Sequence, residues 1–85
     1  MWDDFQLMTY YVLGSINNKF VEQIITAKSP QSAIDVYLLS HKNVYAIGVY
    51  PNKKCYDNGN EPLEKWMSEK CASLMAVLAA KYGDL

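Results

Sequence analysis

An α+β fold is predicted for this sequence, because two parts of it carry clear local patterns. Residues 21–51 have the pattern of a strand, a helix and a second strand, and residues 61–82 repeat apolar side chains at helical spacing. A further apolar stretch near the N-terminus adds one strand and makes the order β-β-α-β-α. We therefore expect one domain, residues 1–85, built as two layers: a three-stranded, mostly antiparallel sheet with two helices on one face.

The first strand is predicted over residues 5–13, where aromatic, aliphatic and β-branched residues follow one another. Large apolar side chains fall on both of its faces, with Tyr10 on one and Tyr11 on the other. This strand is therefore expected to lie centrally in the sheet or to contact something on each side. A turn at residues 14–18 should follow, because glycine and asparagine adopt positive φ easily, and it leads into a hairpin.

The second strand, residues 19–27, is the element for which the pattern leaves two alternatives. Apolar residues recur there at i, i+1, i+4 and i+5 from Phe20, which also fits a helix. The β-branched run at residues 24–26 favours extended structure, and Ser29 with Pro30 marks the start of a helix shortly afterwards. We predict a strand and keep the helix as the alternative.

The first helix is predicted to begin at Ser29, whose hydroxyl accepts from the free amides of the first turn, with Pro30 following where its missing N–H costs nothing. It should end near His41, since a histidine interacts favourably with a helix C-terminus. The third strand is predicted over residues 44–50. If the second and third strands are neighbours, they run parallel and the helix between them makes a right-handed crossover.

The last helix is predicted after a polar loop at residues 51–61, in which residues 57–60 carry a strong turn signal. Asn60 or Glu61 caps it, Pro62 lies in its first turn and Gly83 ends it. A helix of roughly 20 residues is about 30 Å long and covers the sheet of a small domain. The apolar residues that define its buried face are Leu63, Trp66, Met67, Leu74, Leu78 and Tyr82.

Charge and composition argue against several classes of function. The formal net charge is −1, and all eight basic residues are lysines, so the side chain best suited to bidentate contacts with guanine or phosphate is missing. Cys55, Cys71 and His41 lack the spacing of a zinc site, and the cysteines are expected to be reduced thiols. No phosphate-binding loop or catalytic constellation is present, so we predict no enzyme activity, no metal site and no cofactor.

The expected location is the cytoplasm. Asp3 and Asp4 stand where a secretory signal would carry basic residues, and the longest apolar run, residues 74–80, is too short to cross a bilayer. Abundant Lys, Asn, Ile and Tyr without arginine is typical of AT-rich coding DNA. This bias favours an origin in a low-GC bacterium or in one of its phages or mobile elements.

The aromatic content predicts an interaction surface. Seven tyrosines and two tryptophans exceed what one small core holds readily, and these residues are favoured in protein interfaces. If both helices cover one sheet face, the other keeps either the side chains of Met8, Tyr10 and Val12 or the opposite set exposed. The residues that we expect to contact a partner are Tyr10, Tyr45, Tyr50, Tyr56 and Trp66. We therefore expect a small non-catalytic protein-interaction module, such as a phage or mobile-element regulator or inhibitor of a host protein, or a homodimer formed through that face or the last helix.

Weak nucleic-acid binding is the alternative function. Lys42, Lys53 and Lys54 lie near Tyr50 and Tyr56 in the sequence, and lysines beside aromatic residues can combine phosphate contacts with base stacking. The nearly neutral net charge weighs against it, since general nucleic-acid binders are usually basic.

Overall fold

A computed structural model describes residues 6–82 of the chain. The α+β class is confirmed, with four strands and three helices in place of the three strands and two helices expected from the sequence. Their bounds are β1 Met8–Ile16, β2 Lys19–Ala27, α1 Pro30–Ser40, β3 Val44–Tyr50, α2 Lys53–Asp57, β4 Glu64–Met67 and α3 Glu69–Tyr82. The predicted strand start at Phe5 and helix end at Gly83 lie outside the described residues.

The four strands form one antiparallel sheet in the order β2-β1-β3-β4. The central position expected for β1 is confirmed, because it pairs with β2 on one side and β3 on the other. β2 and β3 are therefore not neighbours, although both run antiparallel to β1 and so parallel to each other. The helix α1 connects them by crossing the face of β1.

The β1–β2 hairpin turns on two residues. Asn17 and Asn18 have φ values of 51° and 67°, and Ile16 pairs with Lys19 on either side of them. Two successive positive φ angles are characteristic of the type I′ turn, whose twist matches that of the flanking strands. The turn is shorter than the predicted span of residues 14–18, so Gly14 belongs to β1 instead.

The segment after residue 60 differs most from expectation. Residues 64–67 were expected inside the last helix, but they form β4, in which Trp66 pairs with Ile47 and Met67 with Ala46. Pairing with β3 satisfies backbone groups that a helix would satisfy internally, and it outweighs the helical spacing of the apolar residues. The last helix begins only after Ser68, whose Oγ accepts from the amide of Cys71 at 3.2 Å.

The predicted loop at residues 51–61 contains the short helix α2. Asn52 caps it, with its Oδ1 accepting from the amide of Cys55 at 2.9 Å. The chain then turns through Gly59, whose φ of 79° suits glycine, as the turn signal at residues 57–60 predicts.

The core lies between α1 and one face of the sheet. The start of α1 is as predicted, since Ser29 Oγ accepts from the amide of Ser32 at 3.1 Å. Two helices were expected to cover one face of the sheet. The helix α1 contacts all four strands, whereas the main contacts of α3 are with β3 and β4. Within residues 6–82, no helix has the length and apolarity that crossing a membrane requires. The buried core residues are Tyr10, Val12, Ile25, Ala27, Ala33, Ile34, Tyr37, Val44, Ile47 and Val49.

Candidate functional site

The sheet face opposite α1 is the candidate site, and we call it the open face. Because side chains alternate along a strand, the residues next to the buried Tyr10, Val12, Ile25, Ile47 and Val49 point to this face. Its members are Thr9, Tyr11, Leu13 and Ser15 from β1, Phe20, Glu22, Ile24 and Thr26 from β2, Ala46, Gly48 and Tyr50 from β3, and Lys65 and Met67 from β4.

Three tyrosine rings form a cluster on the open face. Tyr56 of α2 lies over the sheet, with its ring centroid 5.7 Å from that of Tyr11 and 5.1 Å from that of Tyr50. Tyr11 and Tyr50 are 6.3 Å apart, and all three pairs are tilted or edge-on, as aromatic rings prefer. The cluster leaves Tyr11 only 3% exposed and fixes α2 against the sheet.

The phenol of Tyr11 is held by a carboxylate across the hairpin. Its hydroxyl donates to Glu22 Oε2 at 2.5 Å. This hydrogen bond, together with burial, raises the pKa of Tyr11 to about 12, because ionising the phenol would remove the donor and place two negative charges side by side. The bond also turns the Glu22 carboxylate toward β1.

Replacing Glu22 with glutamine is expected to move the pKa of Tyr11 back toward its ordinary value of 10.0. In the wild type the pKa of Tyr11 is higher in the folded state than in the unfolded state. The free energy of unfolding should therefore fall as the pH rises from 10 to 12, and the fall should be smaller in the variant. Urea denaturation across this range and NMR titration of labelled tyrosine rings measure both effects. Glu69→Gln is the charge-matched control. A wild-type Tyr11 that titrates at its ordinary value would contradict this account.

A groove runs across the open face beside the tyrosine cluster. Its volume is about 270 Å³. The floor consists of the small residues Ser15, Ala46 and Gly48, while Phe20 stands on one side and Lys65 on the other. Ser15 and Ala46 are paired between β1 and β3 and leave a depression between large side chains, while the Tyr50 ring lies over Gly48. The wall is completed by Leu13, Tyr50, Tyr56 and Pro62.

Exposed apolar side chains surround this groove. Phe20 is 77% exposed and Ile24 61%, both on β2. Met67 on β4 and Leu63, the residue that precedes β4, are each half exposed. Apolar side chains grouped this closely on one surface are typical of binding sites.

The structure brings together only two of the five aromatic residues expected at an interaction surface. Tyr50 and Tyr56 lie on the open face. Tyr10 is 4% exposed in the core, because α1 covers its side of β1, so it is not part of the surface. Trp66 was expected on the last helix but lies on β4, on the side packed against the core. Tyr45 lies at the irregularity of β3, where its hydrogen bond with Cys71 raises the pKa of its phenol.

The lysines of the nucleic-acid alternative do not form one patch. Lys42 precedes β3, and Lys53 and Lys54 follow it in α2. A strand of this length separates the two positions by about 20 Å. All three side chains are exposed.

His41 is the C-cap residue of α1. Its Nε2 lies 2.7 Å from Gln23 Oε1, and its ring lies 4.2 Å from that of Tyr37. Both Cys55 and Cys71 are free thiols. Among residues 6–82, no group of three metal-binding side chains is present.

No protein family, curated protein or solved structure is matched by this chain.

A second cavity, of about 760 Å³, opens where the Asn17–Asn18 turn approaches the start of α3. Its polar lining includes Asn43 and Lys70, and none of the described polar residues that line it is buried. Small-molecule sites orient their ligands with a few polar groups inside an apolar enclosure, and this cavity lacks that arrangement.

Sequence reasoning missed Tyr11, Phe20 and Glu22 as members of the site. The sequence did contain a signal for the contact between Tyr11 and Glu22, since a two-residue Asn17–Asn18 turn places Glu22 opposite Leu13 and diagonal to Tyr11. Phe20 offered a weaker signal, as an aromatic residue close to the turn.

Proposed function

We propose that this protein is a non-catalytic interaction module that binds another protein through the groove of the open face. The observation that carries the proposal is Phe20, a large apolar side chain that is 77% exposed at the rim of a groove floored by Ser15, Ala46 and Gly48. Exposing such a ring to water is unfavourable, and a partner that covers it removes that cost.

A protein partner fits this groove better than a small molecule does. The volume of about 270 Å³ is near the lower limit of ligand pockets, and the groove is open along its length. A groove of this size accepts one or two large side chains from a partner, which is how binding energy concentrates in protein interfaces. The tyrosines in its wall add both apolar area and hydroxyl groups.

The tyrosine cluster prepares this surface before a partner binds. Tyr56 contacts Tyr11 and Tyr50, and Tyr11 is in turn bonded to Glu22. Side chains that are already ordered lose little conformational entropy when they are covered. The wall of the groove that α2 provides is therefore available for binding without rearrangement.

The proposed role is that of a small regulator or inhibitor acting on a host protein in the cytoplasm, in the manner of proteins encoded by phages or mobile elements. The absence of arginine and the AT-rich bias support this origin. An inhibitor requires only a rigid surface that covers a functional part of its target.

Photocrosslinking tests the proposal. A photoreactive phenylalanine analogue replaces Phe20 in one variant and Leu39 in the other, and both are expressed in a low-GC bacterium. Leu39 is 89% exposed on α1, so it is equally accessible but lies on the other layer. We expect a discrete protein adduct from position 20 that is missing from position 39. Adducts of equal yield from both positions, or none from position 20, would reject the proposal.

A further inference from the structure

Within residues 6–82, no strand pairs with the outer edge of β2. β2 is a nine-residue strand at the end of the sheet, without proline, glycine or bulge. The two residues flanking a two-residue turn share hydrogen bonds, so Lys19, Val21, Gln23 and Ile25 bond to β1. The residues whose backbone N–H and C=O groups point outward are therefore Phe20, Glu22, Ile24 and Thr26.

The opposite edge of the sheet, formed by β4, has features that discourage the addition of another strand. β4 has only four residues, and two of them, Glu64 and Lys65, are charged. Short length and charge both discourage the addition of another strand. β2 has neither protection along residues 23–27, where its outward positions are the exposed Ile24 and the neutral Thr26.

Glu22 is the one charged residue among the outward positions of β2, and its side chain points away from the edge. Glu22 accepts the hydrogen bond from Tyr11, which lies on β1, the inner neighbour of β2. The carboxylate therefore leans toward the centre of the sheet. An acidic side chain in this orientation repels an incoming strand less than one that extends over the edge.

We propose that a second copy of this chain pairs with the outer edge of β2, antiparallel and about a two-fold axis at Ile24. In this register Ile24 meets its own counterpart, and Glu22 lies opposite the partner's Thr26. This inference goes beyond the groove and does not depend on what the groove binds.

Two-fold pairing centred nearer to the hairpin turn is less favourable. Centring the axis on Glu22 places two carboxylates directly opposite each other, which is destabilising. Centring it on Gln23 sets each Glu22 against the apolar side chain of the partner's Ile24. The Ile24 register avoids both, and it pairs the exposed apolar side chains along one stripe. This self-complementarity favours a second copy over an unrelated strand.

The expected dimer is weak. A nine-residue strand is about 30 Å long, so the contact is narrow and lies at the small end of protein interfaces. We expect a dissociation constant in the micromolar range or weaker. In the dimer both sheets become continuous, and the two open faces lie side by side with their grooves uncovered.

Sedimentation equilibrium over a wide concentration range tests the association. The wild type should shift from monomer to dimer across the micromolar range, and Ile24→Pro should remain monomeric, because it removes an outward N–H without touching the bonds to β1. Ile24→Lys provides the same test if proline prevents folding, which circular dichroism reports. Leu39→Lys, an equally exposed apolar residue on α1, should dimerise like the wild type.

Cysteine crosslinking tests the register. In a variant with Cys55→Ser and Cys71→Ser, the additional change Ile24→Cys should give a disulfide-linked dimer on oxidation, because paired residues of this kind lie about 5.5 Å apart. Glu22→Cys should crosslink poorly. A wild type that stays monomeric throughout, a dimer that survives both substitutions of Ile24, or preferential crosslinking through Glu22→Cys would each overturn the proposed pairing. A position-20 adduct with a second copy of this chain would report the edge pairing, whereas an adduct with a different protein would report the groove, so the two proposals fail separately.

Discussion

Tyr37→Ala is expected to leave the protein largely unfolded or close to unfolding. Tyr37 is fully buried between α1 and the sheet, its hydroxyl donates to the carbonyl of Val21 at 2.6 Å, and its ring packs on His41. Removing a buried aromatic side chain costs about 3–5 kcal/mol. A domain of this size has roughly 4–13 kcal/mol of stability in total, so the loss is a large share of it. Urea denaturation followed by tryptophan fluorescence measures the change.

Two companion substitutions separate the sources of this effect. Tyr37→Phe keeps the ring and removes the hydroxyl, so it should cost about 1–2 kcal/mol. Val36→Ala changes a partly exposed residue on the same helix and should cost less than about 1 kcal/mol. If Tyr37→Ala proved no more destabilising than Val36→Ala, the packing of α1 on the sheet would differ from that described.

The close fit at Tyr37 also explains a glycine in the middle of β1. A methyl group on Gly14 would lie 2.5 Å from Cε1 and Cζ of the Tyr37 ring, which is too close for unbonded atoms. Glycine is therefore required here by the approach of a neighbouring ring rather than by backbone conformation. The aromatic residue on the helix and the glycine on the strand form one packing unit.

Tyr56→Ala is expected to weaken partner binding much more than folding. Tyr56 forms part of the groove wall and holds α2 on the sheet through Tyr11 and Tyr50. Loss of an aromatic residue that anchors an interface costs at least about 2 kcal/mol, or roughly a thirty-fold weaker dissociation constant. Because Tyr56 is 37% exposed, stability should fall by only about 1 kcal/mol.

Titration calorimetry with the protein recovered by crosslinking from position 20 measures this loss, and urea denaturation measures stability on the same sample. Lys54→Ala is the matched control, because Lys54 belongs to the same short helix but is exposed and does not line the groove. Unchanged affinity in Tyr56→Ala, or an equal loss in Lys54→Ala, would remove α2 from the binding surface.

Local sequence signals predicted the first part of the fold well. β2 and β3 have the bounds expected for them, and α1 begins at the Ser29–Pro30 signal. These elements succeed because their signals are short-range: β-branched runs, a capping hydroxyl and a proline where no N–H is needed. The Asn17–Asn18 turn belongs to the same group, since asparagine tolerates positive φ.

Local sequence signals did not predict the structure of the segment from residue 61 onward. Trp66 and Met67 fit a helix by spacing, and only the exposed edge of β3 decides that they form a strand. Pairing with a distant strand is not encoded in the neighbouring residues. The capping hydroxyl of Ser68 was a local signal for the true start of α3, but the longer helical pattern obscured it.

The sequence predicted that one sheet face would remain uncovered, but it did not predict which residues lie on that face. Alternation along β1 places Tyr10 and Tyr11 on opposite faces, yet nothing in the strand says which face α1 will cover. The structure buries Tyr10 under α1 and assigns Tyr11 to the open face. Phe20 and Ala46 join the groove through the register of three strands, which depends on the whole sheet.

Crosslinking from both sides of the groove tests the central claim most directly. Photoreactive residues at positions 20 and 65 stand on opposite sides of the same floor, and position 39 on α1 is the control. If a protein partner occupies the groove, mass spectrometry should find the same partner segment joined to positions 20 and 65, with no such adduct from position 39. Adducts to unrelated proteins from positions 20 and 65, or the same adduct from position 39, would contradict a binding site on the open face.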